Sequence, residues 1–269
     1  MEKNTVSLQG SAGGGSSIAI IGAGNMGGAI AEAILRTGIH PVTVSNRSEG
    51  KLKRFAQAGA SVTTDNCQAA AQADIIVIAV KPWLVEKVLT ELTARENLQG
   101  KTIVSVAAAT RGEQLCQWAG EGPQILTVIP NTAISRLASM TFVVPVRADE
   151  ATTQCIRELF DTMGQTLVID EAHLPAATAL ASCGIAYALR YVRAATEGGV
   201  QLGFRAAEAQ AIVAQTLKGA ASLLEVEGAH AEAEIDKVTT PGGITIRGLN
   251  AMEQAGFTNA VIQGLLASK

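Results

Sequence analysis

The stretch Ile18-Ala-Ile-Ile-Gly-Ala-Gly-Asn-Met-Gly-Gly-Ala-Ile-Ala-Glu-Ala-Ile34 decides the fold. Four apolar residues, Ile18 to Ile21, meet a turn carrying Gly22, Gly24 and Gly27. Ile30, Ala31, Ile34 and Leu35 then recur at helical spacing. Strand, tight turn and helix in that order predict a dinucleotide site. Gly22 permits the turn, Gly24 leaves the backbone open to a pyrophosphate, and Gly27 lets the helix lie close to the strand. The free N–H groups and positive dipole end of that helix face the phosphates.

Outward from this turn, Val42-Thr-Val-Ser45 reads as a second strand ending at Asn46-Arg47-Ser48. Enzymes that take NAD usually place an acidic residue about 20 positions beyond the glycines, on the ribose 2′-hydroxyl. Here Arg47 offers a charge to a 2′-phosphate, and Asn46 and Ser48 offer hydrogen bonds, which predicts NADP, with NADPH preferred over NADH. The competing reading of Arg47 is a solvated turn arginine.

Further strands are expected at 60–63, 74–80, 102–107, 125–129, 140–146 and 166–169, alternating with helices at 51–58, 66–73, 84–94, 113–118 and 150–163. The run Asp74-Ile-Ile-Val-Ile-Ala-Val80 is apolar throughout its interior, as suits a strand buried on both faces of a parallel sheet. This alternation predicts an α/β Rossmann-type doubly wound domain over 18–170. Ligands of such sheets bind at the carboxyl ends of the strands. That side comprises Gly22, Ala23, Gly24, Asn25 and Met26; Asn46 to Ser48; Val80, Lys81 and Pro82; Ala107 to Ala109; and Pro130 to Thr132.

Beyond Asp170 alanine-rich helices are expected at 171–198, 205–227, 244–254 and 259–267, an all-α domain over 171–269. The segment 172–189 is apolar enough to raise the question of a membrane span. Pro175, Thr178, Ser182 and Gly184 and its many alanines instead predict a buried helix and no membrane partner. Residues 176–189 lack a polar face, and about 100 residues cannot cover such a helix alone, so pairing into a homodimer is expected. Residues 1–17, with Gly13-Gly-Gly-Ser-Ser17, read as a flexible leader.

The 269 residues are 48% hydrophobic and 17% charged, the make-up of a folded globular chain rather than a disordered one. A net charge of −3, no basic block and 3% aromatics argue against a nucleic-acid partner. Cys67, Cys116, Cys155 and Cys183 form no CxxC pair, so neither a disulfide framework nor a metal site is expected. Free thiols point to a reducing compartment, hence the cytoplasm.

A second glycine turn lies in Val238-Thr-Thr-Pro-Gly-Gly-Ile-Thr-Ile-Arg247. Pro241, Gly242 and Gly243 break the chain before a helical period begins at Ile244. The N–H groups of Gly242 to Thr245, with the hydroxyls of Thr240 and Thr245, would cradle a small carboxylate at a helix start. A plain capped helix start is the alternative.

The run from Thr239 to Phe257 resembles the C-terminal signature of the pyrroline-5-carboxylate reductases. Gly22-Ala-Gly-Asn-Met26, Val80-Lys-Pro82 and Pro130-Asn-Thr132 are similar to that family's other motifs, in the same order. The resemblance implies NAD(P)H-dependent reduction of 1-pyrroline-5-carboxylate to L-proline, the last step of proline biosynthesis. It also implies a Rossmann domain, a helical dimerisation domain, and assembly as dimers or rings of dimers. By position it places Asn25, Met26, Asn46, Arg47, Ser48, Asn66, Ala79, Lys81, Pro82 and Ala107 on the cofactor. Thr240, Gly242, Gly243 and Thr245 fall on the substrate. Two departures stand out: Ile185 and Ala133 occupy positions where the family usually carries proline.

Reduction of a ketone needs a proton donor for the alkoxide, usually a placed His or Lys. His40, His173 and His230 sit in no motif. A cyclic imine protonated on nitrogen needs no such donor, so positioning and one hydrogen bond can suffice. That bond is assigned to Thr245. Three rival readings are a β-hydroxyacid-type dehydrogenase, another imine reductase, and a protein that binds NADP without turnover. The first would be expected to carry a catalytic lysine early in the second domain, and 171–198 contains none.

Overall fold

The computed structural model describes residues 15–269. They fall into two compact units, the first ending at Ala177 and the second spanning Thr178–Lys269.

In the first unit β1 (Ile18–Ile21), α1 (Asn25–Thr37), β2 (Val42–Ser45), α2 (Lys53–Gln57), β3 (Ser61–Thr63) and α3 (Asn66–Ala71) alternate as expected. They are followed by β4 (Ile75–Ile78), α4 (Pro82–Arg95), β5 (Thr102–Ser105), α5 (Gly112–Ala119) and β6 (Gln124–Ile129). The unit continues through β7 (Ser139–Arg147), α6 (Glu150–Asp161), β8 (Gly164–Val168) and the one-turn α7 (Leu174–Ala177). The strands form one sheet in the order β3-β2-β1-β4-β5-β6-β7-β8. Since β1 pairs with β2 on one side and β4 on the other, the chain reverses its direction of winding beside the glycine turn. That reversal is where open α/β sheets leave a crevice.

Alternation along β1 divides the core. Ile18 and Ile20 meet α1 and α6 through Ile30, Ile34, Ile156 and Phe160. Ala19 and Ile21 belong to the opposite layer, with Val85, Leu89 and Leu92 of α4 and Leu115 of α5. Both faces are covered, which is why β1 and β4 are apolar at every position. Burying side chains such as Ile20 and Ile76 contributes about 1.5–3 kcal/mol each.

One strand departs from the parallel arrangement. β7 runs antiparallel to β6, and β8 then runs parallel to β7. Only residues 130–138 join β6 to β7, fewer than the dozen or so that a parallel crossover requires.

Part of the segment expected as a leader, residues 1–14, lies outside the described residues. Gly15 to Ser17 are tied to the sheet: the Gly15 N–H donates to Ile39 O at 3.2 Å, and Ser17 Oγ donates to Asp74 Oδ2 at 2.7 Å. Lys101 secures the far end of α3, its Nζ donating to the carbonyls of Ala70, Ala71 and Ala73 at 3.1, 2.9 and 2.7 Å.

The second unit is helical. Thr178–Cys183 adopts π-helical geometry and leads into α8 (Gly184–Gln201), followed by α9 (Ala206–Leu223), α10 (Ala231–Lys237), α11 (Ile244–Gln254) and α12 (Phe257–Leu266). α8 and α9 approach closely where Gly199 faces Ala209; a Cβ on Gly199 would lie 2.8 Å from that of Ala209. α10 was not expected from the sequence.

Burial of 172–189 is not found within one chain. The helical run Glu171–Gln201 is 31 residues long with a mean hydropathy of 1.3, yet 11% of its most apolar stretch is buried. Leu180 is 64% and Leu189 61% exposed. Among the described residues of the second unit only Ala179 and Ala209 are buried, so one copy gives this helix no core to enter.

Candidate active site

A cleft of about 1130 Å³ opens at the carboxyl ends of β1, β2, β4 and β5. Its floor is the glycine turn, and the three glycines differ in what surrounds them. Gly22 has φ 108°, and a Cβ there would lie 2.7 Å from the Ala79 carbonyl oxygen. A Cβ on Gly27 would come within 2.0 Å of the Gly22 oxygen, because α1 starts directly over the turn. On Gly24 it would meet nothing within 4 Å. Gly24 therefore faces open space where a phosphate could approach, and no side chain caps the start of α1.

Asn46 holds this turn from the end of β2. Its Oδ1 accepts the Ala23 N–H at 3.2 Å and its Nδ2 donates to Ser48 O at 3.1 Å. Asn66 is fixed similarly, accepting the hydroxyl of buried Ser45 at 2.7 Å. Asp65 caps α3 ahead of it, taking the N–H groups of Cys67 and Gln68 at 2.8 and 3.4 Å. Those two N–H groups, then the Arg95 guanidinium, hold the Asp65 carboxyl below the usual aspartate range.

Of the expected cofactor residues, Gly22, Gly24, Asn25, Met26, Asn46, Arg47, Asn66, Ala79, Val80, Lys81, Pro82 and Ala107 line this one cleft. Ala23 and Ser48 do not. Ala23 is buried, and Ser48 is exposed and contributes its carbonyl to Asn46. The cleft also takes in Lys51, Asp65, Lys87, Glu91 and Arg95, which no sequence motif marked.

These additions give the cleft its electrostatic character. Asp65 and Glu91 both pair with Arg95, at 3.2 and 3.4 Å. Together with buried Cys67 they bring three potential metal-ligand atoms within 4.8 Å of one another. The Arg95 guanidinium engages both carboxylates of that trio, and burial pushes the Cys67 thiol up, against the thiolate a metal would need. Among the described residues Arg47, Lys51, Lys81 and Lys87 make no ion pair. Four unpaired cations around a cleft with an open glycine turn fit a ligand carrying several phosphates.

The second glycine turn is formed in the second unit. Gly242 has φ 71°, the Gly243 N–H donates to Thr240 O at 3.0 Å, and Gly243 precedes the first residue of α11. A Cβ on Gly243 would sit 2.6 Å from Thr240 Oγ1, so the turn tolerates no side chain there. No side chain caps α11. Thr245, in its first turn and half-buried, makes no side-chain hydrogen bond among the described residues. Thr240, Gly242, Gly243 and Thr245 are thus brought together around one helix start.

Comparison with known proteins bears on both units. Residues 171–269 match a family model described as pyrroline-5-carboxylate reductase dimerisation. Residues 17–109 match one described as NADP oxidoreductase, coenzyme F420-dependent. Pyrroline-5-carboxylate reductase 2 of Dictyostelium discoideum is 33% identical over 275 residues, which cover 93% of this chain and 90% of the relative. The chain belongs to the pyrroline-5-carboxylate reductase family.

Pyrroline-5-carboxylate reductase 1 of the same organism is 34% identical over 93% of this chain, which spans 48% of that relative's length. A solved structure of a pyrroline-5-carboxylate reductase from Coxiella burnetii superposes with a TM-score of 0.88 at 29% identity, covering 94% of this chain and 96% of that one. As a member of the pyrroline-5-carboxylate reductase family, the chain has a Rossmann-type unit for a nicotinamide cofactor and a helical dimerisation domain.

Proposed function

We infer that the chain catalyses NAD(P)H-dependent reduction of 1-pyrroline-5-carboxylate to L-proline, the last step of proline biosynthesis. The observation that carries this reading is that a chain of this family has both a phosphate-ready cleft within its first unit and an uncapped, glycine-bounded helix start within its second.

The cofactor contacts fall to Gly22, Gly24, Asn25 and Met26 at the pyrophosphate and to Asn46, Arg47 and Asn66 toward the adenosine. Ala79, Val80, Lys81, Pro82 and Ala107 follow along the strand ends, and Ala23 and Ser48 complete the set through the turn backbone and the Asn46 brace. Arg47, exposed and without an acidic partner after β2, favours NADPH over NADH. When bound, the reduced nicotinamide supplies a hydride. The Gly243 N–H closes the turn on Thr240 O, and the substrate carboxylate takes the N–H groups of Gly242, Ile244 and Thr245 and the hydroxyl of Thr240, at the positive end of α11.

Thr245 Oγ1 accepts the N–H of the protonated imine. As a C–H bond forms at the imine carbon, the C=N π pair moves onto nitrogen and cancels its charge, so no general acid is required. Thr245 holds that nitrogen in place through the change.

Two copies cover the apolar helices of the second unit in a dimer, and rings of dimers follow the same logic. The substrate is a small molecule, and the four free thiols accord with a cytoplasmic enzyme. Thr245→Ala is expected to lower kcat about tenfold, the loss of one hydrogen bond to a charged group, while Thr245→Ser retains most of it. Wild-type kcat and KM in the alanine variant would remove Thr245 from the mechanism.

A further inference from the structure

Arg47 is the only cation near the end of β2 that the spacing of the glycine motif marks, yet the cleft gains a second one there. Lys51 lies four residues further on. The short helical turn Glu49–Lys51 folds the chain back on itself, with the Lys51 N–H donating to Ser48 O at 3.2 Å. Arg47 and Lys51 consequently line the same cleft on the segment that follows β2.

The charges around them decide what this pair can do. Both carboxylates lining the cleft, Asp65 and Glu91, are held by Arg95. Lys81 and Lys87 are carried on and beside α4, after a different strand. Among the described residues Arg47 and Lys51 therefore face no neutralising carboxylate within the cleft, and both are exposed.

A ribose 2′-phosphate is a monoester, carrying between one and two negative charges near neutral pH. One planar guanidinium engages two of its oxygens through two parallel hydrogen bonds but supplies a single charge. An ammonium on a flexible stem supplies the second as a point charge. We propose that Lys51 and Arg47 form a two-cation clamp on the 2′-phosphate, and that Lys51 is a specificity-determining residue for NADPH over NADH. This rests on the cofactor reading given above.

The test compares kcat/KM for NADPH and for NADH, with 1-pyrroline-5-carboxylate fixed, in wild type, Lys51→Gln, Arg47→Gln and the double variant. Lys51 is exposed at the end of a short turn, so its replacement leaves the fold intact, and circular dichroism confirms this. In Lys51→Gln the NADPH-to-NADH ratio is expected to fall about tenfold, the value of one charge-assisted bond. The double variant should fall further than either single one. A ratio that falls in Arg47→Gln but stays at the wild-type value in Lys51→Gln overturns the clamp alone. A wild type with no preference for NADPH, or a ratio unmoved by either variant, overturns the cofactor reading and the clamp together.

Discussion

Asn46 Oδ1 accepts a hydrogen bond from the Ala23 backbone N–H at 3.2 Å, joining the end of β2 to the middle of the glycine turn. Asn46, which stands where NAD enzymes usually carry an acid, is thus also a brace for the backbone of the glycine turn. Asn46→Ala removes both this bond and the one to Ser48 O, leaving the turn free to shift. The expected outcome is a KM for NADPH raised up to about tenfold, with kcat changed far less. Steady-state kinetics at varied NADPH check this, and an unchanged KM would show that the turn holds its shape without Asn46.

Gly24 and Gly27 separate a binding effect from a folding effect. Gly27→Ala forces a Cβ to within 2.0 Å of the Gly22 oxygen, so α1 must move off the strand. A destabilisation of roughly 1–3 kcal/mol is expected, visible as a lowered Tm without cofactor. Gly24→Ala adds a methyl to open space and should leave that Tm near wild type while weakening NADPH binding. Thermal melts with and without NADPH distinguish the two variants, and equal Tm losses without cofactor would contradict the assigned roles.

Asp65 makes stability depend on acid. Its folded carboxyl lies below the ordinary aspartate pKa because the N–H groups of Cys67 and Gln68, then Arg95, favour the charged form. A depressed folded pKa contributes stability above the unfolded value of about 3.9, and that contribution is lost as pH falls toward the folded value. Urea unfolding between neutral and acid pH should show a shallower acid loss in Asp65→Asn than in wild type. Parallel curves would mean the cap contributes nothing through its charge.

Much of this architecture is legible in the residues. Val42–Ser45 is readable because Pro41 and the polar Asn46-Arg47-Ser48 bracket a short β-branched run, and the strand has those bounds. Ile244–Gln254 is readable because Gly243 and a clear apolar period mark its start. Strand direction has no such mark: nothing in 139–147 announces that β7 runs antiparallel, which the short connection imposes. α10, Ala-Glu-Ala-Glu-Ile-Asp-Lys, has a single large apolar residue and hence no period to detect. The π geometry of Thr178–Cys183 is hidden among small residues that fit any helix.

The same contrast holds in the cleft. The residues at strand ends are legible as cleft lining because the topology says where such a sheet opens a crevice. Lys51, Asp65, Glu91 and Arg95 enter from helices and turns whose orientation only the folded chain displays. Arg95 reaches Asp65 across thirty positions of sequence, a pairing that no local spacing encodes.

The most direct test follows NADPH oxidation by the purified protein with 1-pyrroline-5-carboxylate, alongside 3-hydroxyisobutyrate and related hydroxy acids supplied with NADP in the oxidative direction. The account predicts turnover with the imine, proline as product, and none with the hydroxy acids. NADPH binding without oxidation in the presence of the imine would contradict it, leaving a protein that holds the nucleotide and does not use it.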